Sequence, residues 1–143
     1  MYKYYLSLGS NMGDREQNIR SALHLLEQRA GKVTRCSSFF YSEPWGFQSE
    51  NAFCNLCCCV ESELEPLTFL LCSEEVEQTL GRSCKSVNGI YHDRTIDIDI
   101  IRAFDFEDKE IIHKEERLTI PHPLYQQRDF VTVPLREILP QNT

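Results

Sequence analysis

The stretch that most constrains the fold is residues 94–101, in which apolar and acidic residues alternate. A period of two predicts a half-buried β-strand, because successive side chains point to opposite faces of a sheet. Its isoleucines would face the core, and Asp97 and Asp99 would share the other face, about 7 Å apart. Adjacent carboxylates repel each other, and magnesium, which prefers oxygen ligands, would relieve that repulsion. Two metal ions could share the pair. The alternative is an amphipathic edge strand with a solvated acidic face.

Length and composition predict a single globular domain over residues 1–143, with 41% hydrophobic and 26% charged residues. The net charge of −7 argues against a general nucleic-acid or membrane-surface binder. The first residues show no signal-peptide pattern, and no apolar run approaches transmembrane length. We therefore expect a cytoplasmic protein.

Cysteine is unusually frequent, with seven residues, four of them between Cys54 and Cys59. The odd number, and the lack of a second cysteine pair or histidine cluster in the sequence, disfavour a zinc site. We expect these cysteines to serve as small core residues.

Periodicity elsewhere predicts strands at residues 2–8, 33–42 and 52–61, and helices between Asp14 and Gly31 and between Pro66 and Gly81. With the acidic strand, the order is strand, helix, strand, strand, helix, strand. This order predicts an α+β, ferredoxin-like βαββαβ core, with an antiparallel-rich sheet and its helices on one face. Residues 105–143 are expected to add a hairpin tip at 105–110, a short strand at 111–112, edge elements and loops.

Two further patterns suggest ligand contacts. Phe53 and Asn55 would share one face of the third strand, where a ring and an amide suit a flat heterocycle, although they also make an ordinary sheet pair. The aperiodic residues 82–93 carry Arg82 and Lys85 and lead directly into Arg94, so they could bind phosphates beside the two carboxylates. Glu77, on the second helix, is most simply a solvated helix charge. The sequence lacks both glycine-rich fingerprints for nucleotide phosphates.

These motifs together resemble one known family. They include Gly9-Ser10-Asn11, Asn55, Gly81-Arg82, Arg94-Thr-Ile-Asp97-Ile-Asp99 and Arg117-Leu-Thr-Ile-Pro-His122. The chain is similar over essentially its whole length to the 6-hydroxymethyl-7,8-dihydropterin pyrophosphokinases of folate biosynthesis. The resemblance implies an enzyme that transfers pyrophosphate from ATP to the hydroxymethyl group of the pterin and leaves AMP. It also implies two Mg²⁺ ions, ATP and the pterin as small-molecule substrates, and a monomer.

The resemblance assigns roles by position. It implies that Asp97 and Asp99 bind the metal, and that these two residues act in catalysis together with Arg82 and Arg94. It gives the pterin to Ser42, Trp45, Phe53, Asn55 and Phe130. It gives ATP to Glu77, Arg82, Lys85, Tyr91, Arg94, Ile100, Arg117, Thr119, His122 and Arg128. Cys84 and Tyr91 depart from the arginine and tryptophan that many members carry at these positions.

Two other functions are compatible with parts of the sequence. A soft-metal-binding ferredoxin-like module would use the thiolates of Cys57 to Cys59. A magnesium-dependent nucleotide hydrolase would share Asp97 and Asp99 but would have no use for a pterin slot.

Overall fold

The structure, a computed structural model, describes residues 1–42, 52–81, 86–87, 90–91 and 95–140. In these residues the strands are β1 Tyr2–Ser10, β2 Lys32–Cys36, β3 Phe40–Ser42, β4 Phe53–Ser62, β5 Ser86–Val87, β6 Ile90–Tyr91, β7 Asp97–Phe104, β8 His113–Lys114 and β9 Thr119–Ile120. The helices are α1 Arg15–Arg29, α2 Pro66–Thr79 and α3 Asp129–Ile138, with a short 3-10 helix at Tyr125–Gln127.

The main sheet is antiparallel, with the order β2-β4-β1-β7, and β3 extends the pairing of β4. The two central strands, β1 and β4, are therefore neighbours in space although α1, β2 and β3 separate them in sequence. This is the strand order of a βαββαβ core, and the predicted fold class is confirmed. No helix in the described part of the chain is long and apolar enough to cross a membrane.

Each face of the sheet carries its own hydrophobic cluster. The α1 and α2 side contains Tyr4, Leu6, Leu8, Cys54, Leu56, Cys58, Val60, Ile96, Ile98 and Ile100. The opposite side contains Tyr5, Cys57, Cys59 and Ile101, covered by Val131, Leu135 and Ile138 of α3. The prediction that the cysteines of β4 are core residues is confirmed, since all four are buried. The alternation is also confirmed over residues 96–100, where Ile96, Ile98 and Ile100 are buried and the two aspartates between them are half-buried, although β7 begins only at Asp97.

A β-bulge divides β7. Leu6 pairs with Ile100 and Tyr5 pairs with Arg102, so Ile101 has no direct partner on β1. Because of this extra residue, Ile101 and Arg102 both lie on the α3 side, where the Arg102 guanidinium forms two hydrogen bonds, of 2.8 and 2.6 Å, with the Glu110 carboxylate. The bulge separates the acidic start of β7 from its apolar end.

Two strand predictions need correction, one within the strand and one at its end. The strand predicted over residues 33–42 is two strands, because Ser37 uses its side chain as well as its backbone. Its N–H donates to the carbonyl of Cys57 at 2.8 Å, and its hydroxyl accepts the N–H of Cys57 at 2.9 Å. The ladder between β2 and β4 ends there, and pairing resumes at Phe40. The first strand is longer than predicted and includes Gly9 and Ser10, while Asp14 caps α1 by accepting the N–H of Gln17.

Residues 105–143 contain the largest error of the sequence analysis. The hairpin tip at 105–110 is confirmed, with the N–H of Asp105 bonded to the carbonyl of Lys109. The strand predicted at 111–112 is wrong: Ile112 is exposed, and the nearby strands are β8 and β9. Residues 129–138, expected to form a loop or an edge element, form α3 instead. Their buried residues follow helical spacing, at Val131, Pro134, Leu135 and Ile138, and a proline inside the segment obscured that period.

Candidate active site

The predicted site residues meet at one end of the sheet, on the face that α3 covers farther along. Gly9, on the central strand β1, pairs with Asn55 of β4 on one side and with Asp97 of β7 on the other. Direct partners in an antiparallel ladder share a face. Asn55 and Asp97 therefore lie about 10 Å apart, which is two strand spacings of about 4.8 Å. This separation leaves room for a ligand across the glycine.

Asn55 is held in place by the short strand β3. Its Nδ2 donates to the carbonyl of Phe40 at 3.1 Å and to the Ser42 hydroxyl at 2.8 Å. The side chain is 2% exposed, so these two bonds satisfy a buried amide and fix its orientation. Ser42 pairs with Phe53 across the strands. Ser42, Phe53 and Asn55, three residues assigned to the pterin, are thus brought together.

Asp97 and Asp99 lie on the same face of β7, and both are half-buried. Asp97 is opposite Gly9, and Asp99 is opposite Ser7. No cluster of three or more His, Cys, Asp or Glu occurs in the part of the chain that the structure describes. Within residues 1–42, 52–81 and 95–140 the candidate donor set is therefore two carboxylates, which fits Mg²⁺, since this ion usually takes one or two protein carboxylates and keeps its other positions for water and phosphate. The donor set does not fit a structural zinc site, which is closed by four protein ligands.

The thiols of β4 do not converge on a common point. Cys57 and Cys59 face α3, whereas Cys58 faces α1 and α2. Burial raises the pKa of Cys57 to about 12, so its thiol stays protonated at neutral pH and the metal-binding thiolate is scarce. These observations count against a soft-metal module.

Glu77 corrects the expectation of a solvated helix charge. It is 3% exposed, and its Oε2 accepts the N–H of Ile98 at 2.7 Å. Ile98 lies between the two aspartates, and its side chain is in the core. Glu77 therefore holds the strand that carries the two carboxylates from the α2 side of the sheet. A charge whose partner is a backbone N–H on a distant strand has no signature in helical periodicity.

The structure also gives positions for Ile100, Arg128 and His122, assigned to ATP, and for Phe130, assigned to the pterin. Ile100 is buried in the cluster beneath α1 and α2, so its side chain faces away from Asp97 and Asp99. Arg128 is 8% exposed and precedes α3, with its guanidinium 5.8 Å from the ring centroid of Phe130. His122 anchors its segment to β7, because its N–H donates to the carbonyl of Ile101 at 2.9 Å.

Two assigned residues form contacts with other parts of the chain. Arg117 forms an ion pair of 2.9 Å with Glu74 of α2 and is largely exposed. Thr119 lies on β9, and its hydroxyl donates to the carbonyl of Glu115 at 3.2 Å. Trp45, Arg82, Lys85 and Arg94 lie outside the described residues, as does the side chain of Tyr91, which belongs to the short hairpin of β5 and β6.

The sequence analysis missed two residues next to the site. Gly9 lay beyond the strand predicted at residues 2–8 and was given no role of its own, whereas a Cβ at this position would lie 3.1 Å from Asn55 Oδ1 and 3.4 Å from Phe53 Cδ1. Arg15, at the start of α1, donates to the carbonyl of Ala52 at 2.7 Å and lies over the ring of Tyr41. Only the glycine carried a usable signal, because it continues the alternation of β1 on the face opposite Leu8.

Comparisons with known proteins show the family to which the chain is similar. The model of the family described as 7,8-dihydro-6-hydroxymethylpterin-pyrophosphokinase (HPPK) matches residues 5–140. A 2-amino-4-hydroxy-6-hydroxymethyldihydropteridine pyrophosphokinase of Porphyromonas gingivalis is 43% identical over 136 residues, which cover 95% of this chain and 90% of that protein. The Bacillus subtilis protein of the same name is 38% identical, and the match covers 96% of this chain and 78% of that protein.

Solved structures show the same fold at low identity. A Plasmodium falciparum HPPK-DHPS structure has a TM-score of 0.73 at 16% identity and covers 98% of this chain. This chain spans 42% of that longer one. A second HPPK-DHPS structure, described as a complex with substrates, has a TM-score of 0.70 at 15% identity, covering 98% of this chain and 40% of that one.

Proposed function

The chain belongs to the 7,8-dihydro-6-hydroxymethylpterin-pyrophosphokinase family, and from that premise we propose how its own residues transfer pyrophosphate from ATP to 6-hydroxymethyl-7,8-dihydropterin. The observation that carries the proposal is the row of Asn55, Gly9 and Asp97 across β4, β1 and β7. It supports a pterin position on the β4 side and a triphosphate position on the β7 side. The hydroxymethyl group would then lie between them, above the glycine.

Asn55 and Phe53 would bind the pterin, with Ser42, Trp45 and Phe130 completing the slot. Both amide hydrogens of Asn55 are engaged by Phe40 and Ser42, so its Oδ1 would accept a hydrogen bond from the polar edge of the pterin. Phe53 offers a ring on which a flat heterocycle can stack. The bonds from Asn55 to Phe40 and Ser42 support this role, because they orient the amide before the ligand arrives and reduce the ordering cost of binding.

Asp97 and Asp99 would hold two Mg²⁺ ions, which supply positive charge to the phosphate oxygens. The hydroxyl oxygen of the pterin would form a bond to the β-phosphorus of ATP and lose its proton to solvent, and the bond from that phosphorus to the α,β-bridging oxygen would break, so that AMP leaves. Phosphoryl transfer of this kind depends mainly on positioning and charge stabilisation. Glu77 would contribute through the N–H of Ile98, which fixes the backbone between the two aspartates.

Basic residues would bind the triphosphate from the other side. We assign this role to Arg82, Lys85 and Arg94, with Arg94 and Arg82 acting on the reacting phosphates. Glu77, Tyr91, Ile100, Arg117, Thr119, His122 and Arg128 would contact or support the nucleotide. The placement of the Ile100 side chain in the core restricts it to backbone contacts. The negative net charge of the chain makes this local positive charge necessary.

We also propose that residues 1–143 act as one monomeric domain in the cytoplasm, where disulfides form only transiently. All six cysteines of the described part of the chain are free thiols.

The metal assignment is tested by Asp97→Asn and Asp99→Asn, with Glu107→Gln as a control on the exposed hairpin tip. AMP formation is measured with ATP, magnesium and the reduced pterin. Each aspartate variant should lose at least about a hundredfold in turnover, the scale of losing one electrostatic stabiliser, while the control keeps its activity. Near-normal turnover in both aspartate variants would contradict the assignment. AMP or ADP formation without pterin would favour the nucleotide hydrolase.

The pterin assignment is tested by Asn55→Leu, which preserves approximate size but cannot pair with a polar edge. Leaving buried polar groups unpaired costs about 1–3 kcal/mol each, so pterin affinity should fall at least about fivefold while ATP affinity holds. Titration of each ligand alone separates the two effects. An equal loss of both ligands would indicate a damaged fold instead.

A further inference from the structure

Among the residues that the structure describes, one pair of cysteines is directly opposed across two strands. Cys36, the last residue of β2, pairs with Cys58 of β4. The other cysteines of β4 face different residue types: Cys54 faces Ser10 and Tyr41, Cys57 faces Ser7, and Cys59 faces Tyr5 and Arg35. The cysteine-rich run of β4 therefore contributes one cross-strand thiol pair to the described fold.

In the antiparallel pairing of β2 with β4, the position of Cys36 and Cys58 is one at which the two backbones lie close together. The N–H of Ser37 donates to the carbonyl of Cys57 at 2.8 Å. Hydrogen-bonded and non-hydrogen-bonded pairs alternate along an antiparallel ladder, so the neighbouring Cys36–Cys58 pair is non-hydrogen-bonded, with Cα atoms about 4.5 Å apart. A disulfide requires a Cα separation of about 4.4–6.8 Å. The two side chains also share a face, so the backbone permits the bond.

The two thiols differ in access. Cys36 is exposed, whereas Cys58 is fully buried among the residues packed under α1 and α2. Burial raises the pKa of both thiols, and the carboxylate of Glu27 adds to the shift at Cys36. A small disulfide can therefore reach Cys36 first. The attack of Cys36 on that disulfide becomes faster as the pH rises towards the pKa of the Cys36 thiol.

We propose that Cys36 and Cys58 are a thiol–disulfide modification site that closes into an intramolecular bond when the protein meets a disulfide oxidant such as oxidised glutathione. The Cys36 thiolate attacks one sulfur of the oxidant and releases one glutathione thiolate, which leaves a mixed disulfide. The Cys58 thiol then attacks the Cys36 sulfur, losing its proton as it does so, and the second glutathione leaves as a thiolate that takes up a proton. Two protein thiols are oxidised, and one glutathione disulfide is reduced to two thiols.

The bond has a defined position relative to the active site. It closes the chain between residues 36 and 58, the segment that carries Ser42, Phe53 and Asn55. Cys58 lies three residues beyond Asn55 along β4 and on the opposite face of the sheet. The bond therefore links the two ends of the segment that carries these pterin residues, without contacting Asn55 itself.

The test uses the full chain without ATP or pterin, so its result does not depend on the proposed assignment of substrates. The reduced protein is incubated with oxidised glutathione near pH 8.5, about the ordinary pKa of a thiol. Remaining thiols are then alkylated, and the digest is examined by mass spectrometry. We expect a peptide pair joined through Cys36 and Cys58, and its loss on treatment with dithiothreitol.

Three variants separate the steps. Cys58→Ser should accumulate glutathione on Cys36, because the resolving thiol is absent. Cys36→Ser should leave Cys58 unmodified, because that thiol is buried. Cys72→Ser, which removes a thiol on α2, should form the bond like the parent chain. The proposal is overturned if the parent chain retains glutathione on Cys36 without an internal bond, if neither thiol reacts, or if the main disulfide joins other cysteines.

Discussion

Replacing Gly9 with alanine should weaken pterin binding selectively. Gly9 is not among the described glycines with positive φ, which are Gly13 and Gly81, so the backbone accepts an L side chain there. The new methyl group would lie 3.1 Å from Asn55 Oδ1 and 3.4 Å from Phe53 Cδ1. The first distance is tighter than an ordinary contact, and the amide must move by a few tenths of an ångström.

The magnitude follows from how Asn55 is held. Its Nδ2 bonds to Ser42 and Phe40, at 2.8 and 3.1 Å, leave little freedom for the amide to retreat. The methyl also occupies the floor between the amide and Asp97. Losing or bending one hydrogen bond to the ligand costs about 0.5–1.5 kcal/mol, which corresponds to roughly a two- to tenfold rise in the pterin dissociation constant. The nucleotide is farther from the methyl, so its dissociation constant should change by less than about twofold.

Calorimetric titration of pterin and of ATP, each alone, would measure the two constants, and thermal unfolding would report stability. Gly31→Ala is a matched control, because a Cβ at Gly31 overlaps the carbonyl oxygen of Glu61, far from the site. That variant should lose stability without distinguishing the two ligands. If a folded Gly9→Ala protein binds pterin as tightly as the parent chain, or loses both ligands equally, the glycine does not form the floor of the slot.

Two further substitutions probe residues that hold the site from the helix side. Glu77→Leu leaves the buried N–H of Ile98 without its acceptor, so the free energy of unfolding should fall by about 1–3 kcal/mol in a denaturant titration. Glu77→Gln keeps an acceptor and should lose less stability in the same titration. Equal losses of stability in the two variants would contradict the hydrogen-bond explanation. Arg15→Met removes the 2.7 Å bond to the carbonyl of Ala52, next to Phe53, and should weaken pterin binding about threefold to tenfold. Arg20 lies five residues further along α1, and its guanidinium is also over an aromatic ring. Arg20→Met should not weaken pterin binding. Similar pterin affinities of the two variants would exclude a positioning role for Arg15.

Local patterns were sufficient for the core of the fold. The alternation at residues 94–101 predicted both the strand and its two faces, because period two has one structural solution when one face is apolar. The order of elements predicted the βαββαβ core in the same way. The failure at residues 129–138 has a local cause: Pro134 lies inside the segment, where a proline disfavours a helix, although the buried positions around it keep the spacing of a helix.

For the candidate site, the sequence identified several residues, and the tertiary structure decided which residues are their neighbours. Residue types and the family resemblance identified Asn55, Asp97 and Asp99, whose chemistry is visible in the sequence. Only the tertiary structure showed that Gly9 lies between Asn55 and Asp97, since strand order, not sequence spacing, makes them neighbours. The same holds for Glu77, which a helix-based reading places in solvent and which instead accepts a backbone N–H from β7. Patterns within one element report which face a side chain is on, but the partner across that face is decided by the packing of elements distant in the chain.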